Sequence, residues 1–298
     1  MMDCGARAIT RGAALAVAAI IPLCLASGPA HAQFEVKSPL VEQGVLELEA
    51  LGSVQSRFNN DEDDDEDEAE EEEDEDGIDL EGGDDDDEED QRQGYEFSVG
   101  YGVTDFWKPE VALVLEQRKH RDLKADAIEF ENTFQVLPTD AYFVNGGVLV
   151  AYEHSLRDDV QAVEFGPLVQ LPIGRLTNTG NAFFEKQFGG ERETGTVGFE
   201  YAWQSVFDII GGLGAGFDAF GEIEKIANDP PSTDEQEHRI GPVALYETEL
   251  GGWGEIGIEL GFLFGLTDGT PDNTFKFNVE FEWGGDDDDD GGDNDDDD

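Results

Sequence analysis

The chain has 298 residues, with 72 acidic side chains against 17 basic ones and a formal net charge of -55. Such a balance repels phosphate backbones, which argues against nucleic acid as a partner and makes cations the expected companions. The charge is concentrated, since 34 of the 72 acids lie in Asp61–Asp90 and Asp286–Asp298, and the middle of the chain is only moderately acidic.

In chain order, residues 1–32 read as a cleaved export signal. Arg7 and Arg11 make a basic start, Ala13–Ala26 an apolar stretch, and Ala30-His31-Ala32 a small-residue cleavage site before Gln33. Pro22 and Leu23 before Cys24 argue against lipidation. Both cysteines, Cys4 and Cys24, fall within the signal, so the mature chain has no thiol for a disulfide, a thiolate metal site or a cysteine nucleophile. Residues 33–43 are expected to form a periplasmic N-terminal segment. No later run of about 18 apolar residues occurs, so nothing crosses a bilayer as a helix; a spanning chain must span as a barrel.

From Gly44 onward the apolar residues recur with period two, the spacing that sends neighbouring side chains to opposite faces of a sheet. In the last strand Phe275, Phe277, Val279, Phe281 and Trp283 share one face, while Lys276, Asn278, Glu280 and Glu282 share the other. In "GEIGIELGFLF" the split sets Ile256, Ile258, Leu260, Phe262 and Phe264 against Glu255, Gly257, Glu259 and Gly261. "TVGFEYAW" sets Val197, Phe199, Tyr201 and Trp203 against Gly198, Glu200 and Ala202. Similar segments near 44–56, 94–104, 110–118, 126–136, 143–153, 161–171, 181–188, 212–225 and 239–249 bring the count to about twelve, with ten or fourteen as alternatives.

The gaps support twelve. With a periplasmic N-terminus the odd gaps are long and polar, among them "KHRDLKAD" and "NDPPSTDEQE"; the even ones, such as "LPIGRL", "SVFDIIGG" and "LGGWGE", are short and rich in Gly, Pro and aromatic residues. The fold expected is all-β, a transmembrane antiparallel β-barrel over 44–283. A soluble antiparallel sandwich, which also alternates, is the competing architecture. The acidic insert at 61–92 and the tail at 284–298 have too few apolar residues to offset ordering entropy and are expected to be disordered. The ending on Phe281 and Trp283 resembles the C-terminal aromatic signal read by the barrel-assembly machinery, except that a Gly284-Gly285 tail follows it.

On the face that a barrel turns inward lie Glu47, Glu49, Glu129, Glu131, Glu164, Glu200, Glu222, Glu255, Glu259, Glu280 and Glu282, outnumbering basic candidates such as Arg118, Lys225 and Lys276. Carboxylates about 8 Å apart repel by roughly 0.5 kcal/mol in water and by more at lower effective dielectric, so such a lumen draws mobile cations. The plainer alternative is a wet interior whose acids pair locally with Lys and Arg. About twelve strands fall between side-chain-filled barrels of about eight and open channels of about sixteen, so a narrow or partly plugged pore for small solutes follows.

Other chemistries find little support. "DDDDDGGDNDDDD" and "DEDGIDLEGGDDDD" do not complete a calcium loop with glutamate at its twelfth position, so weak divalent-cation condensation is expected there and no cofactor or resident metal. His120, His154 and His238 lie in or beside the long gaps without metal-ligand spacing. An outer-membrane phospholipase would need serine and histidine at adjacent outward strand positions, which this sequence lacks, so the chain is expected not to be an enzyme.

At "YGVTDFWKPEVALVLE" and "HRIGPVALYE" the chain resembles a family of bacterial outer-membrane proteins associated with phenol-degradation operons and described as transporters or channels. The resemblance covers strands and turns over most of 95–283 and implies an outer-membrane barrel of a Gram-negative bacterium with an uptake role and no catalytic residues; the acidic insert and tail lie outside its pattern. The function expected is passive diffusion of small solutes, cations favoured, in contact with outer-membrane lipid and lipopolysaccharide. The alternative is a structural or surface-interaction barrel whose acidic loop binds divalent cations.

Overall fold

The computed structural model describes residues 34–57, 90–117, 123–137, 142–157, 160–189, 197–227 and 230–284. The signal, most of the acidic insert and the acidic tail lie outside the described residues. Twelve strands follow one another: β1 Val45–Arg57, β2 Asp90–Tyr101, β3 Trp107–Gln117, β4 Lys124–Leu137, β5 Asn145–Ser155, β6 Val160–Ile173, β7 Leu176–Gly189, β8 Val197–Ile210, β9 Leu213–Ile223, β10 Glu237–Glu249, β11 Glu255–Gly265 and β12 Asn273–Gly284.

Each strand pairs antiparallel with its chain neighbours, and β12 returns to β1 to close the barrel. The closing register runs from Val45 opposite Gly284 to Ser56 opposite Asn273, so the last strand leaves no unpaired sheet edge. The strict alternation in β12 makes this closure possible, because a slip of one residue would turn Phe275 and Phe277 inward and Lys276 outward.

The strands are longer than their alternation alone indicated. "LPIGRL" and "SVFDIIGG" read as turns, but β6 and β7 continue to Ile173 and from Leu176, and β8 continues to Ile210. Gly211 and Gly212 alone span the β8–β9 hairpin, both at positive φ (59° and 79°). That backbone matches the twist of the flanking strands, and a side chain would strain it. The connections after β1, β3, β5, β7, β9 and β11, among them the longest, gather at one rim; the other five connections and both ends of the barrel gather at the other.

The outer face carries the apolar positions. Trp203, Leu260, Phe262, Phe275 and Trp283 are exposed there, and Phe199, Tyr201, Ile256, Ile258, Phe277, Val279 and Phe281 occupy the same face half-buried against their neighbours. A soluble sandwich would put its polar residues on that surface; here the polar residues are inside. Buried Glu49, Glu96, Glu110, Glu129, Glu131, Asp218 and Lys276 show the inversion.

One placement differs from the sequence reading. Residues 33–43 were expected on the periplasmic side, but residues 34–41 run inside the barrel, with Glu42 and Gln43 exposed at its rim. They form no strand, and their polar groups and apolar side chains find partners on the inner wall instead of in water.

Candidate functional site

The lumen and the segment threaded through it make the site. Phe34 and Val36 pack against inward Ala202, Phe220 and Leu263. The Phe34 ring meets the Phe220 ring edge-on at 5.6 Å, and the Arg239 guanidinium stacks over its other side at 4.3 Å. Lys276 donates to the Phe34 carbonyl at 2.8 Å. One turn of chain further on, Asn181 accepts the Lys37 backbone N–H at 2.8 Å and donates to the Lys37 carbonyl at 2.9 Å. This side chain does for the segment what a neighbouring strand would do, satisfying both polar groups of one residue.

The segment then descends to the short-turn rim. Pro39 is fully buried, and a Cβ on Gly147 would stand 3.2 Å from it and 3.0 Å from the Phe134 carbonyl. Gln135 accepts the Val41 N–H at 3.0 Å, and Gly44 donates to the Gly102 carbonyl at 2.8 Å where β1 begins. At Gly102 a Cβ would lie 1.8 Å from the Glu42 carbonyl, so only glycine admits this close approach.

All eleven glutamates read from the sequence face the lumen. Glu47 stands opposite Glu282 and Glu49 opposite Glu280 across β1–β12, Glu255 opposite Glu282 across β11–β12, and Glu200 opposite Glu222 across β8–β9. Glu164 stands opposite Glu185 across β6–β7, Glu129 and Glu131 follow each other on β4, and Glu259 lies beside Lys276. Sequence reasoning missed further inward acids, namely Glu96, Glu110, Glu153, Glu185, Glu237 and Asp218. Their strands were found, but their faces were not assigned.

The basic partners are few and specific. Lys276 bridges Asp218 at 2.5 Å and Glu259 at 2.6 Å, and Lys108 meets both Glu47 oxygens at 2.6 and 2.7 Å. Arg239 pairs with Glu237. Lys37 contributes an ammonium from the segment, 2.8 Å from Glu131, 2.9 Å from Glu35 and 3.5 Å from Glu110. Of the three basic candidates, Lys276 takes the lumenal role; Lys225 stands in the loop after β9 and Arg118 lies outside the described residues. Glu35 and Lys37 belong to no strand. Burial pushes the Glu35 carboxyl up to about 7, with Lys37 opposing; burial would lower Lys37, but Glu110, Glu131 and Glu35 hold it well above its ordinary value as an ammonium.

Above the segment remains a cavity of about 110 Å³ bordered by Lys37, Glu96, Glu131, Glu164, Glu200 and Arg239. That is room for several waters or a small ion. His154 and His238 lie at the long-loop end of β5 and β10; His238 hydrogen-bonds Tyr201 at 3.1 Å and Gln236 at 3.2 Å, and His120 lies outside the described residues.

Fold and lumen together define a closed twelve-stranded antiparallel barrel of the outer-membrane type, filled by its own N-terminal segment. No protein-family model matches the chain, and no curated protein matches it either. Among solved structures, an outer membrane channel from Pseudomonas putida F1 superposes with a TM-score of 0.54 at 9% identity, covering 86% of this chain and 99% of that one. The translocator domain of the autotransporter NalP from Neisseria meningitidis is similar at a TM-score of 0.48 and 9% identity, covering 81% and 88%. The expectation that the chain is not an enzyme is corrected, because the likeness to these solved structures shows the fold alone. A shared barrel fold neither confers nor denies catalysis, so the exclusion is withdrawn.

Proposed function

We propose that this protein is an outer-membrane channel, closed at rest by residues 34–43, that passes small solutes and favours cations when the segment leaves the lumen. The observation that carries the reading is the way the segment is held. The wall is sealed by backbone bonds around the whole ring, whereas the segment is attached by side chains, chiefly Asn181, Gln135, Lys276 and the Lys37 ion pairs. A closure fixed by side chains can be undone without unfolding the wall.

The membrane placement rests on the outer face. A barrel whose exposed surface carries Trp203, Phe262 and Phe275, and whose acids point inward, is stable where the surroundings are apolar. In this reading the rim that carries the β1–β2, β7–β8 and β9–β10 connections stands outside the cell toward lipopolysaccharide, and the rim that carries both barrel ends faces the periplasm, where an export signal would deliver the chain to the barrel-assembly machinery. The resemblance to proteins of phenol-degradation operons keeps small aromatic carbon sources in view as solutes. The charge preference follows from inward acids that outnumber inward bases, as the eleven glutamates against Lys108, Arg239 and Lys276 illustrate.

The test is conductance in planar bilayers under a potassium chloride gradient. Wild-type protein should give small, infrequent openings, and Lys37→Ala/Asn181→Ala larger ones with a cation-selective reversal potential. Anion preference, or no conductance from either protein, would remove the reading.

A further inference from the structure

Among the described residues the inner wall gathers glutamates into three groups in which one carboxylate oxygen from each member lies within 4.8 Å of the others: Glu47–Glu280–Glu282, Glu96–Glu110–Glu131 and Glu164–Glu185–Glu200. Acidic groups alone are common in wet lumens. The middle group differs by a second observation: Glu96 is 3% exposed, and its Oε1 has no hydrogen-bond partner. A buried carboxylate oxygen left unpartnered costs about 1–3 kcal/mol or more for a charged group, so its place among two other buried carboxylates calls for a cation.

A cation is present, and the chain itself supplies it. Lys37 brings its ammonium to 2.8 Å from Glu131 and 3.5 Å from Glu110, without reaching the free oxygen of Glu96. The same segment brings Glu35, 2.9 Å from that ammonium, which offsets part of its charge, and the single ammonium leaves the three wall carboxylates a surplus. A divalent ion would neutralise more of it. The three glutamates offer carboxylate oxygens, the ligands that hard divalent cations such as calcium take. Glu96 and Glu131 border the cavity, so an ion entering the lumen reaches them without crossing the wall.

We propose that Glu96, Glu110 and Glu131 form a divalent-cation site, that Lys37 occupies it while residues 34–43 fill the lumen, and that a divalent cation and the segment therefore compete for one place. The other two groups do not share the argument. Glu47 is already met at 2.6 Å by Lys108, and Glu164, Glu185 and Glu200 hold no buried unpartnered oxygen among the described residues. The competition rests on the segment leaving the lumen, as in the function proposed above; the site itself does not.

The test is calcium binding by the full-length mature protein in detergent, measured by titration calorimetry against a background of weak sites from the acidic insert and tail that all variants share. Wild-type protein should show the background alone. Lys37→Ala should gain one site at least tenfold tighter, and Lys37→Ala/Glu96→Gln/Glu110→Gln should lose it. Lys37→Gln replaces Lys37→Ala if the latter lacks the heat-modifiable gel shift of a folded barrel. No gain in the Lys37 variant, or a gain that survives the two glutamine substitutions, overturns the site. Conductance of the same proteins separates this result from the channel reading: a calcium site without any pore activity sinks the channel and leaves the site standing, and opening without a calcium site does the reverse.

Discussion

The barrel wall and the ten-residue segment inside it obey different rules. In the wall every strand is hydrogen-bonded on both sides, and its side chains are sorted by a two-residue period, so backbone and pattern agree everywhere. The segment has no backbone partner along most of its length and depends on single side chains drawn from distant parts of the chain, such as Asn181, 144 positions from Lys37. The difference separates a cooperative structure from a detachable one. Perturbing the wall should cost folding, whereas perturbing the segment should change only whether the lumen is open.

The largest effect expected is removal of the segment. Deleting residues 34–43 from the mature chain should leave the heat-modified gel shift and raise single-channel conductance severalfold; a barrel that no longer assembles would show that the segment belongs to the folding unit. On the wall side, Lys276→Met leaves Asp218 and Glu259 buried without their cation. Breaking a buried pair in this way costs about 3–5 kcal/mol, so urea unfolding should shift clearly to lower concentration. An unchanged midpoint would show that the inner ion pairs do not support the wall.

Smaller effects sharpen the same contrast. Asn181→Ala removes both hydrogen bonds to Lys37 and should weaken docking by about 1–3 kcal/mol, or roughly 5- to 150-fold in the closed-to-open ratio, with little change in the unfolding midpoint. Because burial raises Glu35 from 4.5 to about 7 in the docked segment, docking takes up a proton. Docking is then strongest at low pH and weakens as pH rises through about 7, so openings should become more frequent between pH 5 and pH 8. Glu35→Gln, which keeps the contact with Lys37 but does not titrate, should flatten that slope. Least of all, deleting the acidic insert and tail should leave melting nearly unchanged and lower cation selectivity modestly, more so at low salt where screening is weak.

The wall was legible in the sequence because a barrel strand repeats every two residues and its turns carry glycine and proline. Phe275 to Trp283, Ile256 to Phe264 and Phe199 to Trp203 declare their outer face without reference to any distant residue. Alternation also identified the inward glutamates. The segment was not legible, because Phe34, Val36 and Lys37 have no period and their partners Phe220, Asn181, Glu110 and Glu131 come from β9, β7, β3 and β4. One signal existed in the pattern: Leu149, Leu168, Phe183, Phe220 and Leu263 stand at inward positions, where a water-filled barrel has polar residues. Phe220 and Leu263 are covered by the segment itself, and Leu149, Leu168 and Phe183 form a second inner cluster with Ala151. Apolar side chains on the wrong face marked a lumen filled by something other than water.

The central claim is that residues 34–43 are a removable closure, and locking them in place tests it most directly. Cysteines introduced together at Phe34 and Phe220, whose rings pack 5.6 Å apart, can be joined by a short reducible bifunctional reagent in a chain whose own cysteines, Cys4 and Cys24, both precede the described residues. The measurement is planar-bilayer conductance of the same protein linked and then released by a reductant. The structure predicts a silent barrel while linked and cation-selective openings after release. Equal conductance in the two states would contradict it, because ions would then be passing a lumen that the segment does not close.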